Sequence, residues 1–289
     1  MDFDEKTLVL GVGAQKAGTT WLFDYLSKRG DIYMPNKEMH YFNVKHRTDP
    51  KPDSLPDLAS EDTSVATVKF ASYKEFFRER VPADCNHYGE ITPAYALIGK
   101  RKYRKIRRLF SNIRILFIMR DPLDRFYSQV RMFQEKAESG DKPDRELDWM
   151  VDHWKFLDRS RYETTIKALE AVFKKKQIGY FFYETLFQPE SIAGLCRFLG
   201  VPYMAADFGN MVNARGTRNA HPVVHQELLL DRLASTYRFC REKFGDRVPA
   251  QWYSGFDESA PSETRNGPSP DPGGATEAES SLSAISELH

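Results

Sequence analysis

LVLGVGAQKAGTTWL, Leu8 to Leu22, carries a buried-looking apolar run into a Gly-rich turn and then a helix start. Strand, glycine turn and helix N-terminus in that order are the layout of a phosphate-binding loop. The nucleoside-triphosphate version reads G-x-x-x-x-G-K-[ST]. Gly13 and Gly18 keep its glycine spacing, but Thr19 stands where the lysine belongs and the lysine has moved inside the loop, as Lys16. The amides of Lys16 to Thr20 can still cradle an anion, helped by the dipole of the helix that starts there. The displaced lysine speaks against an ordinary Mg·ATP site. It favours a nucleotide whose transferred group lies against the loop itself.

A second signal follows in NIRILFIMRDPLDRFYSQVRMF, Asn112 to Phe133. Ile113 to Met119 is a continuous, β-branched-rich run of strand length, as expected for a strand covered on both faces. Arg120 ends it, and Asp121-Pro122 opens a helix with proline at a tolerated first-turn position. Arg120 and Ser128 could grip one phosphate from two sides, with a guanidinium fork and a hydroxyl.

On these residues the chain resembles the sulfotransferases that use 3′-phosphoadenosine 5′-phosphosulfate (PAPS), in a bacterial-type branch similar to the glycosaminoglycan enzymes. QKAGTTWL (Gln15 to Leu22) resembles the family's 5′-phosphosulfate loop and RDPLDRFYS (Arg120 to Ser128) its 3′-phosphate motif. NKEMHYF (Asn36 to Phe42), GEITPAY (Gly89 to Tyr95), YFFYETLFQP (180–189) and RGTRNAHP (215–222) resemble further family blocks, in the family's order. The resemblance spans roughly residues 6 to 252. It implies a P-loop NTPase-like sulfotransferase fold with a central, mostly parallel sheet flanked by helices. It also implies PAPS as co-substrate, no metal, and transfer of a sulfo group to a hydroxyl or amine of a small-molecule or carbohydrate acceptor.

The same resemblance distributes roles. Lys16, Ala17, Gly18, Thr19, Thr20 and Trp21 would hold the phosphosulfate. Arg120 and Ser128, with Arg215, Thr217 and Arg218 from the later loop, would hold the rest of the nucleotide. Lys16 would also meet charge growing on the leaving phosphate. Glu38 aligns with the carboxylate that serves as base in the glycosaminoglycan-type enzymes. His40, two residues on, would point the same way if the stretch is extended, and would orient Glu38 or be the base itself. One departure matters: Ile91 stands where those relatives often carry lysine, which shifts weight toward a neutral or less acidic acceptor. Glu90 could contact the acceptor or hold the strand end. A kinase with a degenerate P-loop and a non-catalytic nucleotide-binding module are the other readings; Thr19 in the lysine position counts against the first.

Composition fits one α/β enzyme domain, expected over 1–257. From Asp257 onward seven acids face one base, Arg265, so that stretch carries −6 and residues 1–256 carry +7 within a net charge of +1. Rich in Ser, Pro, Gly, Ala and Glu, residues 258–289 read as a disordered acidic tail. The basic excess of the rest suits an anionic co-substrate. No run has transmembrane length, and the chain starts almost at its first strand, so a cytoplasmic place is expected, without membrane or nucleic-acid partners. Cys85, Cys196 and Cys240 lack metal-like spacing and are expected as thiols.

The remaining elements follow from periodicity. Helices are expected over Thr19–Lys28, Ser72–Arg80, Gly99–Phe110, Tyr162–Lys175, Pro189–Leu199 and His225–Phe244, and strands over Tyr88–Ile91 and Gly179–Tyr183. An irregular excursion is expected at 47–64 and a loop across 36–42. KRKYRKIRRLF (100–110) reads as the solvated face of a helix. The aromatics of 180–183 read as core strand, and Trp149, Trp154 and Trp252 as packing or an acceptor cleft.

Overall fold

The computed structural model describes residues 2–43, 73–138, 147–209 and 223–253. The apolar run that opens the chain becomes strand β1, Thr7–Gly13, followed by helix α1, Thr19–Ser27, and the short strand β2, Ile32–Tyr33. Helix α2 (Tyr73–Arg80) leads to β3 (His87–Ile91), and α3 (Gly99–Leu109) to β4 (Ile113–Met119). Helices α4 (Pro122–Glu138), α5 (Leu147–Asp152), α6 (Trp154–Leu157) and α7 (Tyr162–Glu170) precede β5, Ile178–Phe182. Helices α8 (Tyr183–Leu186), α9 (Pro189–Leu199) and α10 (Val223–Phe244) complete the described chain.

The five strands form one parallel sheet in the order β2-β3-β1-β4-β5. Strand β1 is central because its residues Leu8, Val9, Leu10 and Val12 are wholly buried, with apolar cover on both faces. Leu8 pairs with Tyr88 on one side and Ile113 on the other. The fit is close: a Cβ at Gly89 would run into the Val9 carbonyl. After β1 the chain leaves toward β2 and β3; after β4 it leaves toward β5. The loops following β1 and β4 therefore diverge, and a crevice opens at their carboxyl ends, where open α/β sheets bind ligands.

The helices obey their sequence punctuation. Helix α1 buries Trp21, Leu22, Tyr25 and Leu26, with Trp21 and Tyr25 packed toward Phe187, Cys196 and Phe208. Helix α9 starts with Pro189 in its first turn and stops at Gly200, whose φ of 79° suits a residue without Cβ. Helix α3 buries Tyr103 and Ile106 and leaves most of its basic residues to solvent, as a solvated face should.

Three boundaries differ from the sequence expectation. Strand β2 lies ahead of the expected loop, where no element is expected; two residues are too few to show a strand period. Helix α7 ends at Glu170, and a 3-10 turn at Lys175–Gln177 follows, because the Gln177 side chain accepts the Lys174 N–H at 3.1 Å and starts a new turn. Tyr183 opens α8 instead of ending β5. The excursion at 47–64, the Trp154 side chain and the tail from 258 lie outside the described residues. By contact density the chain divides at Glu258/Ser259. The three cysteines are buried thiols, and no helix among the described residues is long and apolar enough to cross a membrane.

Candidate active site

The loop between β1 and α1 is shaped by its backbone. Ala14 donates to Ile118 O of β4 at 2.7 Å, which pins the loop to the next strand. Lys16 has φ 70°, a left-handed conformation that costs a non-glycine residue on the order of 1 kcal/mol. Gly18, at φ 80°, forms the N-cap of α1. A Cβ on Gly18 would also press on the Tyr183 ring at 3.0 Å. Two left-handed residues two apart fold the loop back over the N-terminus of α1, where the first-turn amides lack intrahelical partners. The Ala17 N–H turns inward to Ala14 O at 3.3 Å, so its role in the loop is closure. Thr19 is buried and Thr20 half-buried at the helix start. The Trp21 indole is packed away, stacked 5.8 Å from Tyr25 and 6.0 Å from Phe208.

Arg120 joins this loop to the end of β4. Its Nη1 donates to Lys16 O at 3.3 Å, and its guanidinium lies 4.8 Å over the Tyr183 ring. Its Nε is buried and has no hydrogen-bond partner among the described residues. The main chain at Arg120 is fixed by Tyr162, whose hydroxyl donates to Arg120 O at 2.6 Å. Next in sequence, Asp121 caps α4: Oδ1 accepts from Leu123 N at 2.9 Å, Asp124 N at 3.1 Å and the Tyr237 hydroxyl at 2.9 Å. Burial pushes the Asp121 carboxyl up to about 7, against the lowering pull of those hydrogen bonds. Arg125, fully buried one turn on, donates to Ser160 Oγ, Gln129 Oε1 and Phe156 O, all neutral. Burial lowers its pKa to about 9. Ser128 sits half-buried on α4.

The second wall is the segment 36–43. Glu90, wholly buried at the end of β3, accepts from Met39 N at 2.8 Å, Thr92 Oγ1 at 2.5 Å and the Tyr95 hydroxyl at 2.8 Å. Burial raises its pKa. Its role is thereby decided: it holds the strand end and the loop, with both oxygens engaged. Phe42 packs 4.8 Å from Tyr73 and 5.4 Å from Tyr95, closing the loop on the core. Between these anchors Glu38 stands half-buried, with Lys37 Nζ at 3.3 Å and His40 Nε2 at 3.2 Å. His40 Nδ1 meets Asn43 Oδ1 at 3.2 Å.

The expectation of an extended 38–40 stretch is corrected: His40 has φ 55°. That left-handed turn returns the imidazole onto Glu38, so the pair meets by a kink and not by strand alternation. Ile91 is buried against Gly11, where a Cβ would lie 2.6 Å from Cγ2, so that side chain fills the sheet core. Trp252 is core, 5.5 Å from Phe182 and buried. Arg215, Thr217 and Arg218 lie outside the described residues. Tyr183, expected as core strand, is instead the shelf beneath Arg120. Sequence reasoning missed Asn43 as the partner of His40, and Arg159, whose guanidinium feels the charge of Glu38; neither stands at a motif spacing that could have announced it. Among the described residues no three His, Cys, Asp or Glu side chains gather as a metal would need.

A profile of the sulfotransferase family matches residues 9–205, and the chain belongs to that family. A sulfotransferase from Alicyclobacillus acidocaldarius shares the fold, with TM-score 0.64 at 20% identity over 86% of this chain and 98% of that one. The sulfotransferase domain from the curacin biosynthetic pathway gives 0.46 at 16% identity, over 69% and 75% of the two chains. Mouse sulfotransferase SULT7A1 complexed with PAP gives 0.41 at 14% identity, over 74% and 68%. These last two are too distant to carry weight. A search of curated protein sequences finds no match.

Proposed function

We propose that the chain transfers a sulfo group from PAPS to a hydroxyl or amine of a small-molecule or carbohydrate acceptor, as a member of the branch similar to the glycosaminoglycan enzymes. The observation that carries this reading is the Arg120 bridge. It ties the loop holding Lys16 to the β4–α4 corner at 3.3 Å and leaves a buried Nε with no partner among the described residues. A nucleotide with a phosphosulfate at one end and a 3′-phosphate at the other fits that pair of cationic, donor-rich sites. The buried thiols support a reducing compartment.

Sulfuryl transfer, like phosphoryl transfer, proceeds in line through a loose transition state. The donor supplies an activated sulfo group; the chain supplies the rest. Lys16 and the first amides of α1 stabilise negative charge on the departing phosphate. Arg120 and Ser128 fix the nucleotide's 3′ end. Glu38 takes the acceptor's proton, and His40, held by Asn43, keeps the carboxylate in its working rotamer. Glu90 fixes the loop through the Met39 N–H, between those two residues.

Adenosine 3′,5′-bisphosphate should raise the melting temperature clearly and Mg·ATP much less, since ATP lacks the 3′-phosphate. A hundredfold excess over Kd stabilises by roughly 2.7 kcal/mol. Equal or greater stabilisation by Mg·ATP would favour the kinase reading instead.

A further inference from the structure

Arg159 lies on the turn between α6 and α7, and nothing among the described residues hydrogen-bonds or ion-pairs with its guanidinium; its Nε is buried without a partner. A buried donor left unmade costs about 1–3 kcal/mol, and more when charged. The turn that carries it is not loose. Ser160 Oγ donates to Pro122 O at 2.8 Å and accepts from Arg125, and Ser160 N donates to Leu157 O at 2.7 Å. Arg161 pairs with Asp158 at 3.0 Å, and Tyr162 grips Arg120 O. Arg159 is thus held through Ser160 and Tyr162 to the same corner that carries Arg120.

Like charges meet at this corner. Arg125 is disfavoured by the charges of both Arg159 and Arg120, and its own hydrogen-bond partners are neutral. The acid whose field reaches Arg159 is Glu38. The two nonetheless form no ion pair, and the Glu38 oxygens are taken up by Lys37 and His40 instead. A rigidly mounted guanidinium near a carboxylate that it does not touch, with donors unused, is suited to an anion standing between them.

We propose that Arg159 binds an oxyanion beside Glu38 and so forms the acceptor-side anion subsite of this enzyme. The inference rests on the sulfotransfer reading. The oxyanion has two possible sources: the sulfo group as it leaves the donor, or an anionic substituent carried by the acceptor. In either case the cation reaches the reaction from α6–α7, and the buried Ile91 has no part in it.

The probe is radiolabelled inorganic sulfate in equilibrium dialysis, at constant ionic strength, on the full chain saturated with adenosine 3′,5′-bisphosphate. Wild type should bind sulfate saturably. Arg159→Gln should weaken that binding by at least about tenfold, as expected for losing a charge-assisted contact. Arg159→Lys, which keeps the charge but not the fork, should fall between them. Unchanged nucleotide affinity in both variants shows that they are folded. A second arm replaces the bisphosphate with PAPS, whose sulfo group fills the transfer position. Sulfate excluded by PAPS identifies the transferred group as the source; sulfate bound alike with both nucleotides identifies the acceptor's own anion. Wild type without saturable sulfate binding, or Arg159→Gln binding as tightly as wild type, overturns the proposal. Failure of the bisphosphate itself to bind would instead overturn the sulfotransfer reading, and the two results are read separately.

Discussion

The two walls of the proposed site are built by different means. The wall assigned to the nucleotide is one contiguous stretch, Gly13 to Thr20, shaped by left-handed residues and backbone hydrogen bonds, with Arg120 laid across it. The wall assigned to the acceptor is a loop with little regular structure of its own. Side chains from β3 and the 3-10 turn after it hold it in place: Glu90 by Met39, Thr92 by His40, and Tyr95 by Phe42. A wall made of backbone tolerates side-chain change and should lose binding gradually. A wall made of side chains places a single carboxylate, and should fail sharply when that group is altered.

The largest expected effect tests the sharp wall. Glu38→Gln keeps size and hydrogen bonding but cannot take the acceptor's proton, so kcat should fall by about 10²–10⁴. Nucleotide affinity should hold, because Glu38 touches neither the β1–α1 loop nor Arg120 in any described contact. His40→Asn should cost about tenfold, as suits a positioning residue. If His40→Asn is the dead enzyme and Glu38→Gln keeps most of its activity, the proton goes to His40 and the roles exchange.

The backbone wall should respond in two separable ways. Lys16→Ala should lower kcat by roughly 10²–10³, because its partner charge grows as the bond to sulfur breaks. Arg120→Ala should mainly weaken nucleotide binding, by about 1.5–3 kcal/mol, since that contact is made in ground and transition states alike. A Lys16→Ala enzyme altered in KM for PAPS alone would show that the lysine binds and does not catalyse.

The same contrast explains what the sequence could disclose. Strands β1 and β4 are legible because burial on both faces writes a continuous apolar run, and the glycine spacing from 13 to 18 reports a backbone shape directly. Lys16 and Arg120 sit at the ends of those runs, so their places follow. Glu38 and His40 were legible as residue types but not in their geometry: the kink at His40 is imposed by Glu90 and Thr92, about fifty residues away. The placing of Tyr183 beneath Arg120 and of Arg159 within the field of Glu38 was illegible for the same reason. Each meets its partner through the packing of another element, and local pattern says nothing of which elements meet. Glu90 could be read either way from sequence, and only its three hydrogen bonds distinguish an anchor from a substrate contact.

The smallest expected effect concerns the frame behind the nucleotide-side wall. Asp121 caps α4 from a buried position, and its carboxyl is raised from an ordinary 3.8 to about 7. A folded-state pKa above the unfolded value means that the native protein binds more protons between the two. Stability from this group is therefore fully present below about pH 3.8 and is lost as pH rises through about 7. Asp121→Asn keeps an N-capping side chain without a titrating proton, so the variant should lose less stability than wild type between about pH 5 and pH 8 in urea unfolding. Glu90, raised by burial, and His87, lowered by it, titrate in both proteins and drop out of the difference. Glu184, also raised by burial, accepts the Asp121 N–H at 2.7 Å and titrates together with Asp121, so the difference reports the pair. Parallel stability curves for the two proteins would mean that the Asp121 carboxyl keeps one protonation state across this range. The hydrogen bonds of Asp121 to Leu123, Asp124 and Tyr237 would then hold the corner beneath Arg120 without a pH-dependent part.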